Sequence, residues 1–460
     1  MDDPELLLRP DFEWGVATSA YQIEGATTVD GRGESIWDRF AAVPGNIANG
    51  DTAEIACDHY HRYDSDLDLI AELGVDNYRF SIAWPRIHPG GGPRINRPGL
   101  DFYHRLVDGL LARGIRPTPT LYHWDLPQGL QDRGGWTNRD TVSRFADYAS
   151  TVFDALGDRV DRWITHNEPW MASFIAHLRG VHAPGLVDLQ AALRAAHHIL
   201  LSHGRAVAAF REHGPGEIGI TLNLFPTYPH SGSEADRLAA WGSDGFTNRW
   251  FLDPLYRARY PADTVDTFAR AGGRFDFVAD GDLASVAAPT DFLGVNYYSP
   301  RRVSASDEEF GWRVEEPPPP GVPRTDLDGE ICPDGLTDLL RRLHDDYGNP
   351  PMYVTENGYP SYGDRVDGDG RVHDPARTAF LRDHLAAARA AIDDGADLRG
   401  YYVWSLLDNF EWAAGSRPRF GIVFVDPADL ARVPKDSFRF YADTIATHRA
   451  RRTGRDGGAA

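Results

Sequence analysis

Short runs rich in β-branched and aromatic residues recur along this chain, and longer stretches with apolar residues at helical spacing separate them. The strand-like runs are 12–17, 77–83, 117–122, 163–166, 218–223, 292–297, 352–355 and 400–404. Between them, 63–73, 100–113, 141–156, 189–210, 336–347 and 375–393 carry the three-to-four-residue apolar repeat of helices with one buried face. Eight strands alternating with helices predict a single parallel (β/α)8 TIM barrel. The one low-complexity stretch, 317–323, is short and Pro-rich, and it reads as an inserted loop rather than a linker. One barrel domain over 1–450 and a flexible tail over 451–460 are therefore expected.

Composition narrows the class. The chain has 47 Lys plus Arg against 68 Asp plus Glu, a net charge of −21, which argues against nucleic acid and anionic membranes as partners. With 42% hydrophobic residues it can bury a large core, yet no apolar run reaches the roughly 18 residues of a transmembrane span. The first ten residues are acidic, with a short Leu6-Leu7-Leu8 run, and lack the basic and apolar regions of a secretory signal, so a cytoplasmic protein is expected. No Asn-x-Ser/Thr sequon occurs, and the two cysteines, Cys57 and Cys332, are too few for a disulfide framework and fit a reducing compartment. Charge leaves the oligomeric state open.

A parallel barrel does its chemistry at the C-terminal ends of its strands, so the polar residues there come first. They are Gln22 past the first strand, Arg79 in the second, His123 and Trp124 after the third, and Asn167-Glu168 after the fourth. The sixth brings Asn296 and Tyr298, the seventh Glu356-Asn357, and the eighth Trp404. Amide and hydroxyl donors with an indole suit a polyol, which needs directional hydrogen bonds and a flat surface for its C–H face. Glu168 and Glu356, on different strand ends, suit glycoside hydrolysis, which needs one protonated and one ionised carboxyl group across the scissile bond.

These residues carry a resemblance. Thr165-His166-Asn167-Glu168-Pro169 and Val354-Thr355-Glu356-Asn357-Gly358 resemble the paired signatures of glycoside hydrolase family 1, the β-glucosidase family. The likeness extends over 12–25, Asp58-His59-Tyr60-His61-Arg62-Tyr63, Leu121-Tyr122-His123-Trp124-Asp125-Leu126-Pro127 and 292–299. It continues through Trp404-Ser405-Leu406-Leu407-Asp408-Asn409-Phe410-Glu411-Trp412 and Arg419-Phe420-Gly421.

The resemblance implies a retaining β-glycosidase with no cofactor, acting on a small β-glycoside. It makes Glu168 the acid/base and Glu356 the nucleophile, with Arg79, Asn167 and Tyr298 in support. Gln22, His123, Trp124, Asn167, Asn296, Tyr298, Glu411, Trp412 and Phe420 are then the contacts to the sugar, and Trp404 is its platform. A cation and a hydroxyl beside Glu356 would keep it ionised, whereas burial and the charge of Glu356 should raise the pKa of Glu168. Glu411 would repel a phosphate, which favours unphosphorylated sugars, glucosides first and galactosides and fucosides after them.

Departures fall on the leaving-group side. Gly329 stands in Leu327-Asp328-Gly329-Glu330, where the family usually has a Trp; Ala176 and His177 replace a usual Gly and Tyr; and 308–323 is acidic and Pro-rich. A wider site for a bulky or apolar aglycone is expected. The His groups His59/His61 and His197/His198/His203 lack the spacing that would complete a metal site, so no metal is expected. Two alternatives stay open: a catalytically silent sugar-binding barrel, and a transglycosidase that uses the same intermediate.

Overall fold

The structure, a computed structural model, describes residues 8–315 and 317–456, with side chains to residue 451. The expectation of a leader over the first residues falls largely on 1–7, outside the described residues. Eight parallel strands close into a barrel: β1 (Glu13–Ala17), β2 (Asn77–Ser81), β3 (Arg116–Tyr122), β4 (Arg162–Asn167), β5 (Glu217–Asn223), β6 (Phe292–Asn296), β7 (Met352–Asn357) and β8 (Leu398–Trp404). Each strand pairs with its sequence neighbours, and β1 closes on β8 through Glu13 opposite Gly400 to Ala17 opposite Trp404. Every residue of β2, β4 and β7 is buried, because one face lines the interior and the other lies under helices.

The outer ring is built from α1 (His59–Leu73), α2 (Arg97–Ala112), α3 (Asp140–Leu156), α4 (Leu189–His213), α5 (Glu234–Asp244), α6 (Pro333–Tyr347), α7 (Pro375–Asp393) and α8 (Asp436–Asp456). Their ends follow local chemistry. The Asp188 side chain accepts from the Ala191 amide 2.8 Å away at the start of α4. Pro333 opens α6, and Gly348 at φ +76° ends it. In α3, Val142, Phe145, Ala149, Val152, Phe153 and Leu156 are buried on one face, as the apolar repeat requires.

Three additions are not legible in the repeat. A three-stranded sheet joins Thr227–Pro229, Arg301–Ala305 and Trp312–Val314, so the stretch after β6 is partly ordered on the barrel rim. A two-stranded pair joins Val423–Val425 to Arg432–Pro434. Helix α8 also extends through the backbone of 451–456, the first part of the expected flexible tail; the remaining 457–460 lie outside the described residues. Buried Phe438, Tyr441 and Ile445 fix the earlier turns, after which propagation adds a hydrogen bond per residue. No helix among the described residues is long and apolar enough to cross a membrane.

Inside the barrel, Ala17, Ile164, Phe292, Tyr353, Tyr402 and Trp404 form an apolar plug separate from the core under the helices. Arg162 closes the barrel below it, bonded to Glu13 at 2.5 Å and Glu217 at 2.7 Å, with its guanidinium 4.4 Å from the Tyr353 ring centre. Gly15 is required by this plug, since a Cβ there would lie 2.2 Å from the Tyr402 ring. Gly15→Ala is therefore expected to destabilise the fold by about 2 kcal/mol or more, read from urea unfolding. A Tyr402→Leu change in the same chain should recover part of the loss; strictly additive losses would show that the ring yields without strain.

Candidate active site

Two local irregularities aim the paired glutamates. Strand pairing slips between Ile164 and Asn167 on β4 and between Val354 and Glu356 on β7, just before the two carboxylates. Glu168 takes φ +50°, its amide donates to the Thr221 carbonyl at 2.9 Å, and its own carbonyl starts the next helical turn by accepting from Met171. Trp124 at φ +78° and Trp412 at φ +53° share the left-handed region, which costs about 1–3 kcal/mol at each such residue and persists only where the surroundings hold it. After Glu356, Gly358 lets the ends of β7 and β8 meet, because a Cβ would stand 1.8 Å from the Trp404 carbonyl oxygen.

A hydrogen-bond network joins the strand ends. Arg79, fully buried, donates to Glu356 Oε1 at 2.6 Å, the Thr355 carbonyl at 3.0 Å and Asn167 Oδ1 at 2.6 Å. The Tyr298 hydroxyl donates to Glu356 Oε2 at 2.7 Å. Asn296 Nδ2 donates to Glu168 Oε1 at 2.6 Å and to Asn167 Oδ1 at 3.0 Å, and the Thr355 hydroxyl fixes this amide by donating to Asn296 Oδ1 at 2.8 Å. Asn167 Nδ2 lies 3.1 Å from His123 Nε2. Burial and Arg79 push the His123 pKa well below the usual range, so the ring is neutral. It therefore accepts through Nε2 and carries its proton on Nδ1, an atom with no protein partner.

The two glutamates differ electrically. Burial, and then the charge of Glu356, raise Glu168 to about 8 against the opposing effects of Asn296 and Arg79. Glu356 is instead gripped by a cation and a hydroxyl. Glu411 is raised to about 8 as well, chiefly by burial and then by Glu356. Below that pH, Glu168 and Glu411 hold protons and the Arg79–Glu356 ion pair carries the charge of the site.

The far wall is the segment 404–412. Gln22 Nε2 donates to Asn409 Oδ1 and the Phe410 carbonyl, both at 3.0 Å, and reaches Glu411 Oε2 at 3.3 Å. Buried Lys435 anchors this segment by donating to Asp408 Oδ1 at 2.7 Å, and Arg419 bonds Asp408 Oδ2 at 3.0 Å. The His123 ring lies near-parallel to Trp404 (centres 5.8 Å apart) and to Trp412 (5.9 Å).

The structure thus gathers Gln22, Arg79, His123, Asn167, Glu168, Asn296, Tyr298, Glu356, Trp404, Glu411 and Trp412 at one barrel end. Two further expected contacts have protein partners of their own. The Trp124 indole N–H donates to the Asn167 carbonyl at 2.8 Å. Phe420 stands edge-on to Tyr298, centres 6.0 Å apart, as a support for that hydroxyl. Sequence reading missed Asn223, which ends β5 opposite Asn296 and has a buried Nδ2 with no partner; its place at a strand end was the available signal. It also gave no role to Thr355 or Asn409. The histidines weighed as metal ligands have protein partners: His59 bonds Asp66, His197 bonds Asp282 and Tyr260, His198 bonds the Trp136 carbonyl, and His203 bonds Thr165.

The profile of glycosyl hydrolase family 1 matches residues 5–450. The chain is 48% identical to beta-glucosidase A of Acetivibrio thermocellus over 95% of its own length and 97% of that protein. It is 45% identical to the bifunctional beta-D-glucosidase/beta-D-fucosidase of Bifidobacterium breve, covering 96% of this chain and 98% of that one. Among solved structures, the family 1 β-glucosidase from Thermotoga maritima superposes with a TM-score of 0.93 at 45% identity, covering 96% and 98% of the two chains. A match of this extent means that the chain belongs to glycosyl hydrolase family 1.

Proposed function

We propose that this protein is a retaining β-glucosidase, with Glu356 as nucleophile and Glu168 as acid/base. The observation that carries the reading is the unequal setting of the two carboxyl groups: Glu356 bonded to Arg79 and Tyr298, and Glu168 buried with its pKa raised to about 8. In the first step Glu356 attacks the anomeric carbon and displaces the leaving oxygen, which takes the proton of Glu168. Glu168, now ionised, then removes a proton from water as it attacks the glycosyl-enzyme, and Glu356 departs as a carboxylate. Asn167 meets the 2-hydroxyl and His123 donates to another hydroxyl through Nδ1, so the network that recognises the sugar also orients the nucleophile.

Terminal β-D-glucosides are the first substrates. The Bifidobacterium breve relative, named for both activities, supports β-fucosides as a second group, and β-galactosides form a third. Exclusion of phosphorylated sugars does not rest on charge repulsion by Glu411, which is neutral below about pH 8. It rests on the cost of bringing a dianion into a buried pocket whose cation, Arg79, is already paired. Water is the proposed acceptor rather than a second alcohol, and the cytoplasm is the proposed compartment, in keeping with the free thiols of Cys57 and Cys332.

Gly329 leaves room beside the mouth: a Cβ there would meet Thr325 Oγ1 at 3.4 Å and Ser299, the neighbour of Tyr298, at 3.8 Å. The leaving group therefore meets no ring at this point, in keeping with a bulky or apolar aglycone.

Glu356→Ala should lower release of p-nitrophenol from p-nitrophenyl β-D-glucoside by at least ~10⁴-fold. Azide should restore turnover and give α-glucosyl azide; a β-azide or no rescue would reject Glu356 as nucleophile. Because Glu168 must enter each cycle protonated, kcat/KM should fall as pH rises through about 8. Glu168→Gln should remove that alkaline limb, and Glu411→Gln, by deleting a neighbouring like charge, should move it to lower pH. Gly329→Trp should raise kcat/KM for cellobiose about three- to tenfold relative to p-nitrophenyl glucoside, the contribution of one stacked ring.

A further inference from the structure

The direction of the hydrogen bonds around Glu168 follows from one group that can only donate. Arg79 lies 2.6 Å from an Asn167 side-chain atom, which must therefore be the oxygen Oδ1. That oxygen accepts a second bond from Asn296, so the amide nitrogen of Asn296 faces both Asn167 at 3.0 Å and Glu168 Oε1 at 2.6 Å. The other end of this amide is Asn296 Oδ1, and the only donor that the described residues offer it is the Thr355 hydroxyl at 2.8 Å. Thr355 has one hydroxyl proton and commits it to this bond. Its oxygen then accepts from the Thr221 hydroxyl at 3.3 Å.

The hydroxyl pair spans a strand. Thr221 lies on β5 and Thr355 on β7, with Gly294 of β6 between them and paired with Thr221. A Cβ on Gly294 would lie 2.2 Å from Thr221 Oγ1 and 2.9 Å from Thr355 Oγ1, so only glycine lets the two hydroxyls meet. Both threonines are buried, and each also serves the site through its backbone: the Thr221 carbonyl accepts from the Glu168 amide at 2.9 Å, and the Thr355 carbonyl accepts from Arg79 at 3.0 Å. A valine at position 355 would keep the carbonyl and lose only the hydroxyl.

The consequence falls on Glu168. The Asn296 N–H favours its ionised form, which activates water in the second step, whereas burial and Glu356 favour the protonated form. Arg79, Glu411 and Tyr298 also face Glu168, and the neutral His123 ring lies beyond Asn167. None of them bonds Asn296 Oδ1. Without the Thr355 hydroxyl this oxygen is buried and unpaired, a cost the amide relieves by shifting at the expense of its bond to Glu168.

We propose that Thr355 is a positioning residue for the acid/base: its hydroxyl, steadied by Thr221 across Gly294, keeps the Asn296 amide turned so that an N–H meets Glu168. The inference rests on the β-glucosidase reading and extends it to a buried hydroxyl that Glu168 itself does not touch.

The test reads Glu168 directly, by ¹³C NMR of protein labelled at the glutamate carboxyl carbon, with the signal assigned by its absence in Glu168→Gln. Its titration is followed in wild type, Thr355→Val and Thr355→Ser, alongside the pH dependence of kcat/KM for p-nitrophenyl β-D-glucoside. Thr355→Val removes a donor that favours the ionised form, so the titration, and the alkaline limb with it, should move up by about one pH unit, part of the worth of a hydrogen bond to a charged group. Thr355→Ser restores the hydroxyl and should stay within about 0.3 unit of the wild type. A titration unmoved or lowered in Thr355→Val, or raised as far in Thr355→Ser, would overturn the proposal. Should Thr355→Val not fold, Thr355→Cys takes its place: its thiol is a weak donor, so an upward shift about half as large upholds the proposal and no shift refutes it. A wild type inactive on the glucoside would reject the β-glucosidase reading instead, and the titration would still decide the role of Thr355.

Discussion

One buried cation sets the terms for the rest of this molecule. Arg79 lies inside the barrel mouth without contact with solvent, and a guanidinium there is tolerable only if its donors are taken. Its partners come from three other strands: Thr120 of β3, Asn167 of β4, and Thr355 with Glu356 of β7. Closing the barrel in the wrong register would strand the charge. The slips in pairing before Asn167 and Glu356 are therefore part of the same requirement, since they turn both side chains toward one guanidinium. Stability and chemistry share these contacts, and neither carboxyl group owes its state to itself alone.

The opposite wall uses a second set of buried charges. Lys435 and Arg419 meet on Asp408, and Lys435 also bonds Asp364, below the segment that presents Trp404, Glu411 and Trp412. Removing one member of such a cluster leaves an uncompensated charge, so the cost of loosening this wall is high. Segment 404–412 is thereby held by ion pairs to Asp408 and by the amide of Gln22. Buried ion pairs back the 404–412 segment, whereas the short strand Trp312–Val314 of the three-stranded sheet follows β6 on the rim.

The barrel was legible because each strand is a short run buried on both faces and each helix keeps an apolar stripe, and both patterns survive in the bare sequence. The rim strands Thr227–Pro229 and Trp312–Val314 were not, since three residues give too little pattern to separate from a loop. The location of the site followed from strand ends, and its roles followed from the family likeness. What neither could supply was the backbone of Glu168: nothing about a glutamate foretells φ +50°, which arises from Pro169, the helical turn after it and the bond to Thr221 on β5. The same holds for Trp124, which the family likeness places against the sugar and whose N–H donates to a carbonyl that only the folded chain brings near.

The proton positions at the barrel mouth also govern how a substrate arrives. With protons on Glu168 and Glu411 and an internal Arg79–Glu356 pair, the pocket is close to electroneutral, although the chain carries −21. An uncharged sugar therefore approaches a mouth that neither draws nor repels it, and the strong negative field of the surface is irrelevant to capture. Encounter is left to diffusion and shape, so ionic strength, which governs enzymes that steer charged ligands, has little purchase on this one.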